Sequence, residues 1–172
     1  MTKYWIIADT HFNHQFLIDI WDRHKWFEFD IYKNLMKIPK EDVLIHLWDI
    51  CIWNDQEMHE LYIKPLECRK ILVRGNHDKK SPAWYMSNGW DFVCDSFKLN
   101  QYGYNMLFTH IPKPTNNYLN IHWHLHKNIH HAPPIGNCLL YSCEFMNYQP
   151  RTLKSMLKRK TKKDLIFDII KV

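Results

Sequence analysis

The feature that most constrains the fold of this chain is a pattern in which a short apolar run ends at a cluster of polar side chains. It occurs three times in the first half: residues 3–8 precede Asp9 and His11, residues 43–47 precede Asp49, and residues 69–73 precede Gly75, Asn76, His77 and Asp78. Runs of this length and composition predict buried β-strands. Strands that alternate with helical segments predict an α/β fold, in which functional groups gather at the carboxyl ends of the strands.

Helical segments are predicted between these strands. Residues 17–36 carry apolar and aromatic side chains at irregular helical spacing, and Pro39 follows them. Asp55 is predicted to be the N-cap of a helix that runs to Ile63, because an aspartate side chain accepts hydrogen bonds from the first free amides of a helix. Pro65 is predicted to end this segment, since proline cannot continue a helix.

The second half of the chain changes character. Four strand-like runs follow one another with little helix between them, at residues 91–97, 104–109, 119–122 and 138–143. They predict a second sheet. The predicted fold class is therefore α/β, a four-layer αββα sandwich of two mixed sheets flanked by helices. A helix over residues 155–159 and an edge strand over residues 164–170 are predicted to close the chain.

The length of 172 residues supports one domain with a substantial core and is too short for two ordinary domains. We therefore expect residues 1–172 to form a single domain. Apolar runs such as residues 43–47 are far shorter than the roughly 20 residues that a membrane span requires. The first residues also lack the pattern of a signal peptide. A cytoplasmic protein without membrane contact is expected.

The cysteines indicate neither disulfides nor a zinc site made of thiolates. They are Cys51, Cys68, Cys94, Cys138 and Cys143, which form no CxxC pair and are odd in number. Disulfide frameworks and structural zinc sites need paired cysteines at short, regular spacings. We predict that these residues are buried free thiols.

The net charge of +5 arises largely in a basic C-terminal segment. Its cationic residues are Lys154, Lys158, Arg159, Lys160, Lys162 and Lys163. Such a segment is compatible with binding of nucleic acid or another polyanion, but it is more often the solvated face of a helix. Nucleic acid is therefore one class of partner that this segment could bind.

Histidines extend the polar clusters into the second half, because His110 ends a fourth strand while His124 and His126 follow a fifth. The complete set of predicted metal ligands is Asp9, His11, Asp49, Asn76, His110, His124 and His126. Two divalent ions about 3.5–4 Å apart require such a mixed set with a shared carboxylate. Oxygen and imidazole ligands suit manganese, iron or zinc and disfavour copper(I). His77 is the predicted proton donor to a leaving group.

The order of these clusters resembles the calcineurin-like metallophosphoesterases, specifically the small single-domain phosphoesterases of bacteria and phages. The resemblance covers almost the whole chain. It is carried by residues 7–12 (Ile-Ala-Asp-Thr-His-Phe), residues 73–78 (Val-Arg-Gly-Asn-His-Asp) and residues 120–122 (Asn-Ile-His) before the last histidine pair.

The resemblance implies a role for each site residue. Asp9, His11 and His126 would hold one metal, Asn76, His110 and His124 the other, Asp49 would bridge them, His77 would assist the leaving group and Asp78 would position its loop. It also implies two divalent ions as cofactors and a phosphoester as substrate. Manganese is the metal we favour, with iron, zinc, nickel or magnesium as alternatives. Arg74 is either a contact for substrate phosphate or an exposed or salt-bridged arginine.

Tryptophan stands at two positions where the family pattern has glycine: Trp48 precedes the bridging aspartate and Trp123 precedes the paired histidines, with Trp53 a third candidate. Glycine is used where the backbone takes a positive φ or passes close to another group. The chain has only four glycines and as many as eight tryptophans. Two explanations stay open: a family branch that rebuilt the pocket around indoles, or a gene whose UGA codons mean glycine but were translated as tryptophan.

The sequence thus predicts a metal-dependent phosphoesterase that hydrolyses phosphomono- or phosphodiesters with a hydroxide activated by two metals. The first alternative is a catalytically impaired metal-binding or scaffold protein of the same fold, and the second is a nuclease. The other histidines are predicted to be structural or exposed, and the two of most interest are His14 and His122, each within three residues of a predicted ligand. The substrate and the oligomeric state stay open at this stage.

Overall fold

The computed structural model describes residues 2–20, 23–113, 115–122, 138–140, 143–144 and 146–160. The strands in these ranges are β1 Tyr4–Ala8, β2 Val43–Leu47, β3 Arg69–Val73, β4 Phe92–Cys94, β5 Ser96–Gln101, β6 Tyr104–Thr109, β7 Leu119–His122, β8 Cys138–Leu140 and β9 Arg151–Thr152. The helices are α1 Phe16–Ile20, α2 Phe27–Leu35, α3 Asp55–Met58, which continues as a π-helical turn His59–Ile63, α4 Pro82–Ser87 and α5 Leu153–Lys160.

The strands form two sheets of mixed direction. The first has the order β4-β3-β2-β1-β9, in which β1 to β4 are parallel and β9 is an antiparallel edge strand. The second has the order β5-β6-β7-β8, in which β5 and β6 are antiparallel while β6, β7 and β8 are parallel. This arrangement confirms the predicted α/β fold with two mixed sheets and flanking helices.

One apolar cluster fills the space between the two sheets. Successive side chains of a strand point to opposite faces, so alternate residues of the first sheet, such as Ile6 and Ile45, face this side. They belong to the same cluster as Phe108 and Ile121 of the second sheet, and all four side chains are fully buried. Leu157 of α5 adds to this cluster.

Helices cover the opposite face of the first sheet. Leu44 and Leu72 belong to a second apolar cluster that includes Phe27 and Ile31 of α2. A parallel sheet that is covered on both faces needs strands that are apolar throughout, and all five residues of β2 are buried. The carboxyl ends of β1, β2 and β3 therefore meet at one edge of a rigid, buried sheet.

Two predicted helix boundaries are wrong. The described residues of the range 17–36 form two helices, α1 and α2, and the non-helical residues 23–26 lie between them. Asp55 is not the N-cap of α3: the N-cap is Asn54, which has a left-handed φ of 49° and no side-chain cap. The Asp55 carboxylate instead accepts a hydrogen bond from the thiol of Cys51, at 3.7 Å, so it is turned away from the helix amides.

The predicted strand over residues 91–97 is also split. Asp95 separates β4 from β5, and β4 joins the first sheet beside β3 rather than the second.

Helix α4 was not predicted, although Ser81 caps it by accepting a hydrogen bond from the Trp84 amide and Pro82 opens its first turn. In the predicted strand over residues 138–143, β8 covers Cys138–Leu140. The predicted edge strand over residues 164–170 lies outside the described residues.

The cysteine prediction agrees with the structure where it can be compared. Cys51, Cys68, Cys94 and Cys143 are free thiols, and three of them are buried, while Cys94 is partly buried. Cys138 lies at a position whose side chain is not described. None of the helices in the described ranges is long and apolar enough to cross a membrane.

Candidate metal centre

The loops that follow β1 and β2 run side by side beyond the edge of the first sheet. The amide of Asp9 donates to the carbonyl of Leu47 at 3.2 Å, and the amide of His11 donates to the carbonyl of Asp49 at 3.0 Å. The amide of Phe12 continues this ladder to the carbonyl of Ile50 at 2.8 Å. The strand pairing therefore extends past the sheet and brings the two polar clusters together.

This edge is built from left-handed backbone. Asp9, His11, Trp48 and Asp49 have φ values of 50°, 48°, 67° and 45°. A residue with a Cβ atom loses about 1–2 kcal/mol in this conformation, and such residues persist only where surrounding contacts fix them. The backbone ladder between the two loops provides part of that restraint.

Asp9, His11 and Asp49 form a buried cluster with the geometry of a metal site. One ligand atom from each lies within 4.8 Å of the others, and Nε2 of His11 is 3.9 Å from Oδ2 of Asp49. Burial, followed by the negative charge of Asp49, raises the pKa of the Asp9 carboxyl well above its usual value. Two carboxylates and an imidazole suit a divalent cation, whose charge would offset the cost of ionising these acids in the interior. The residues therefore fit a metal ion.

The loop after β3 is anchored to this cluster by Asp78. Its buried carboxylate accepts hydrogen bonds from the amides of Gly75 at 2.7 Å, Asp49 at 2.9 Å and Ile50 at 3.1 Å. Burial and the charge of Asp49 raise the pKa of Asp78 to about 6, although these amide hydrogen bonds oppose the shift. Asp78 thus ties the third loop to the second.

Gly75 is required by space. A Cβ atom at this position would lie 2.1 Å from Oδ1 of Asp49 and 2.8 Å from Cβ of Trp48, which is far inside van der Waals contact. The same carboxylate oxygen of Asp49 accepts a hydrogen bond from the amide of His77 at 2.9 Å. The turn therefore packs its backbone directly against the carboxylate that the sequence predicts to bridge two metals.

Asn76 and His110 form a second contact between predicted ligands. Oδ1 of Asn76 lies 2.6 Å from Nε2 of His110, so a residue that follows the first sheet contacts a residue that follows β6 of the second. His124 and His126, the two remaining predicted ligands, lie outside the described residues. The structure brings five predicted ligands to the junction of the two sheets, as a trio and a pair.

Two further imidazoles flank His11. The ring centroids of His14 and His77 each lie 5.6 Å from the ring centroid of His11. His77 is exposed and His14 is partly exposed, whereas His11 is buried. Two solvent-accessible imidazoles therefore lie beside the buried His11.

Two of the three unexpected tryptophans lie on left-handed backbone. Trp48 has a φ of 67° and is fully buried, and its ring centroid is 5.4 Å from that of His110. Its indole nitrogen has no hydrogen-bond partner among the described residues. Trp53 has a φ of 58° and is 76% exposed. Both positions therefore have the conformation that glycine adopts at least cost, and Trp123 lies outside the described residues.

Arg23, which contacts the Asp9 loop, was not identified from the sequence. The side chain is buried, and its guanidinium donates to the carbonyls of Asp9 and Thr10. An isolated arginine in a predicted helix has no distinguishing pattern. Arg74, for which two roles were open, forms an ion pair with Asp95.

Comparisons with known proteins identify one family and two similar proteins. The sequence profile of the calcineurin-like phosphoesterases matches residues 2–167. The uncharacterized protein MJ1445 of Methanocaldococcus jannaschii is 28% identical over an alignment of 175 residues, which covers 92% of this chain and 91% of that protein. The crystal structure of AQ665 from Aquifex aeolicus, a protein of unknown function, has a TM-score of 0.73 and 29% identity, and covers 92% of this chain and 100% of its own.

Proposed function

This chain belongs to the calcineurin-like phosphoesterase family, and from that premise we propose that it is a metal-dependent phosphoesterase with a dinuclear centre. Its substrates are phosphomonoesters or phosphodiesters. The observation that carries the proposal is the buried trio of Asp9, His11 and Asp49, whose ligand atoms converge within 4.8 Å. A buried pair of acids with an imidazole has no evident purpose in packing, because ionised groups are costly in the interior unless they are paired or bind a metal.

The proposed ligand sets follow the two groups found in the structure. Asp9 and His11, with His126, would hold one ion, Asn76 and His110, with His124, would hold the other, and Asp49 would be shared between them. When bound, two divalent ions supply Lewis acidity that activates water near neutral pH and neutralises charge on the phosphate. Manganese is the first choice, with iron, zinc, nickel and magnesium as alternatives, because such ligand sets accept several of these ions.

The protein's own residues complete the reaction. His77 is exposed beside His11, and its backbone is fixed by the amide hydrogen bond to Asp49. We assign its imidazole the transfer of a proton to the leaving oxygen, a step that typically contributes 10²–10⁴-fold to the rate. Asp78 has a positioning role, since its carboxylate joins the turn that carries His77 to the loop that carries Asp49.

The test is hydrolysis of bis-p-nitrophenyl phosphate and of the corresponding monoester by metal-stripped protein to which Mn²⁺ is added. Asp49→Asn should lose bound metal and turnover together. His77→Ala should retain metal and lose turnover by about 10²-fold or more. His24→Ala is the matched control, because His24 is half-exposed and pairs with Asp30 on α2.

Two outcomes would contradict the proposal. Turnover that does not depend on added metal would exclude the dinuclear mechanism. Metal binding by the wild-type chain without hydrolysis of either ester would favour the catalytically impaired scaffold instead.

A nuclease is the second candidate. It is favoured by the net charge of +5 and by Lys154 and Lys158, which are both exposed on α5. Binding of a polyanion through lysines releases counterions and weakens steeply as salt rises. Cleavage of single-stranded DNA should therefore fall with salt far more than hydrolysis of the small diester, and Lys154→Gln with Lys158→Gln should reduce only the former.

A further inference from the structure

Three consecutive carbonyls at the end of β1 each accept a hydrogen bond from a buried side chain. The thiol of Cys143 donates to the carbonyl of Ala8 at 2.7 Å. The guanidinium of Arg23 donates to the next two, to Asp9 at 2.8 Å through Nη2 and to Thr10 at 2.7 Å through Nη1. These carbonyls precede His11 and include Asp9 itself. Hydrogen bonds from two buried side chains thus fix the backbone that carries two proposed ligands.

Arg23 is itself fixed by a buried ion pair. Its side chain is fully buried, and Nε donates to Oε1 of Glu144 at 2.8 Å, while Nη2 lies 2.6 Å from the same oxygen. The guanidinium also stands 4.9 Å above the ring of Phe27 at the start of α2. A planar guanidinium can bind a carboxylate and two carbonyls at once in a fixed geometry, which a lysine cannot.

Stability alone is a poor reason for this arrangement. Removing two opposite charges from water costs so much that apolar residues of similar size often serve a fold as well or better. The left-handed backbone at Asp9 and His11, in contrast, needs an outside restraint to persist. Arg23 supplies that restraint at the two carbonyls on which this conformation depends.

We infer that Arg23, oriented by Glu144, is a positioning residue of the metal centre. It aims the Asp9 carboxylate and the His11 imidazole at the point they share with Asp49. Cys143 and Glu144 lie between β8 and β9. Their contacts therefore join the loop after β1 to a segment more than 100 residues later in the chain. The inference rests on the proposed metal-dependent function.

The experiment separates positioning from a general contribution to folding. In Arg23→Met/Glu144→Met both buried charges are removed, so no unpaired charge is left inside the protein, while the two carbonyls lose their donors. Arg23→Lys keeps the charge and loses the planar fork. Lys70→Met is the matched control, because the buried Lys70 ammonium also donates to two carbonyls, those of Leu66 and Cys68, at the opposite end of the first sheet.

Mn²⁺ affinity is measured by titration calorimetry and by electron paramagnetic resonance, and folding by the thermal midpoint. Loss of groups that orient metal ligands typically reduces metal affinity about 10–100-fold. We expect this loss in Arg23→Met/Glu144→Met and a smaller loss in Arg23→Lys, both in samples that unfold cooperatively above the assay temperature. Lys70→Met should lower the midpoint and leave the Mn²⁺ affinity unchanged. If the double variant does not fold, the Mn²⁺ affinities of Arg23→Lys and Lys70→Met are compared instead, and a loss in Arg23→Lys alone supports the positioning role.

The inference fails if folded Arg23 variants bind Mn²⁺ as the wild type does, or if Lys70→Met loses affinity to the same extent. It also fails, together with the proposed function, if the wild-type chain binds no Mn²⁺. Wild-type protein that binds Mn²⁺ without hydrolysing esters would overturn only the proposed function, because positioning is read from binding and not from turnover.

Discussion

The two ends of the first sheet are built in different ways. At the amino ends of the strands, the Asp42 carboxylate accepts hydrogen bonds from the Lys3 amide and the Trp5 indole, both at 2.8 Å. None of these three residues has a positive φ. At the carboxyl ends, Asp9 and Asp49 lie on left-handed backbone beside each other. Polar groups at the amino ends are satisfied on ordinary backbone, whereas those at the carboxyl ends lie on left-handed backbone that side chains from other segments hold in place.

This difference shows where the fold carries strain. A residue in a left-handed conformation persists only where other contacts hold it, and such residues cluster at functional sites. The carboxyl ends of the first sheet match this description, because Arg23 and Asp78 reach in to fix their loops. Substitutions should therefore have different consequences at the two ends, which the following predictions test.

The largest expected contrast is between two buried tryptophans. Trp90 lies before β4, at the amino end, and has an ordinary backbone, whereas Trp48 lies at the carboxyl end with a φ of 67°. Trp90→Gly should cost about 4–5 kcal/mol of unfolding free energy, from the loss of a large buried side chain and the added backbone freedom. Trp48→Gly should cost about 2 kcal/mol less, because glycine relieves the left-handed strain.

Urea unfolding of both variants checks this contrast. Trp48→Ala is the control, since alanine removes the indole and keeps the strain. Equal losses at positions 48 and 90, or a Trp48→Ala variant as stable as Trp48→Gly, would show that the backbone at position 48 is not strained.

The next contrast is between the pH dependence of stability that arises from His46 and that which arises from Asp42. Burial, with a further contribution from His59, lowers the pKa of His46 to about 3. The unfolded chain takes up a proton near pH 6.5 and the folded chain does not, so stability is present above pH 6.5 and is lost on acidification towards pH 3. Acidification from pH 7 to pH 5 should therefore lower the free energy of unfolding by about 2 kcal/mol through this histidine. His46→Gln should abolish that part of the pH dependence.

Asp42 provides the comparison at the amino end. Burial opposes its ionisation, but hydrogen bonds from the Trp5 indole and the Lys3 amide outweigh it and lower the pKa of the carboxyl. A lowered pKa means that stability is present above the ordinary pKa near 3.8 and is lost as pH falls through the folded value. Asp42→Asn should therefore change the profile only below about pH 4. A wild-type profile that is flat between pH 7 and pH 5 would refute the assignment to His46.

The smallest expected effect is at Trp53. Its side chain is 76% exposed, so little packing is lost on substitution, and its φ is 58°. Trp53→Gly should stabilise the protein by about 1 kcal/mol through relief of the left-handed strain. Trp53→Ala should not, because alanine retains the Cβ atom. A thermal midpoint that rises equally in both variants would assign the gain to loss of the exposed indole.

The codons at positions 48, 53 and 123 distinguish the two explanations for these tryptophans. UGA at these positions would indicate that the working protein carries glycine there, which suits the left-handed backbone at positions 48 and 53. UGG would indicate a family branch whose pocket is built around indoles.

Much of the fold was predictable because it follows from local patterns. The bounds predicted for β2, β3, β6 and β7 agree with the structure. Buried parallel strands are short apolar runs, and such runs are visible without knowledge of their partners. The strand over residues 91–97 was mispredicted because its division at Asp95 places β4 and β5 in different sheets, which no local pattern records. The cap of α3 was mispredicted because the helix starts after Asn54 on left-handed backbone, and the Asp55 carboxylate accepts from the Cys51 thiol.

The candidate site divides in the same way. The sequence identified Asp9, His11 and Asp49 from their positions after apolar runs, and the structure places their ligand atoms together. It did not identify Arg23, because that role depends on a partner, Glu144, that is 121 residues away.

By itself, the sequence determined the alternation of strands and polar loops, the family, and the types of side chain at the carboxyl ends of the strands. These properties depend on side-chain chemistry and on periodicity, which are local. Only the tertiary structure decided that Asn76 meets His110 across two sheets, that Trp48 lies buried on left-handed backbone, and that Arg23 holds the loop of Asp9. Such contacts join residues that are distant in the chain, and they are fixed by the packing of the whole molecule.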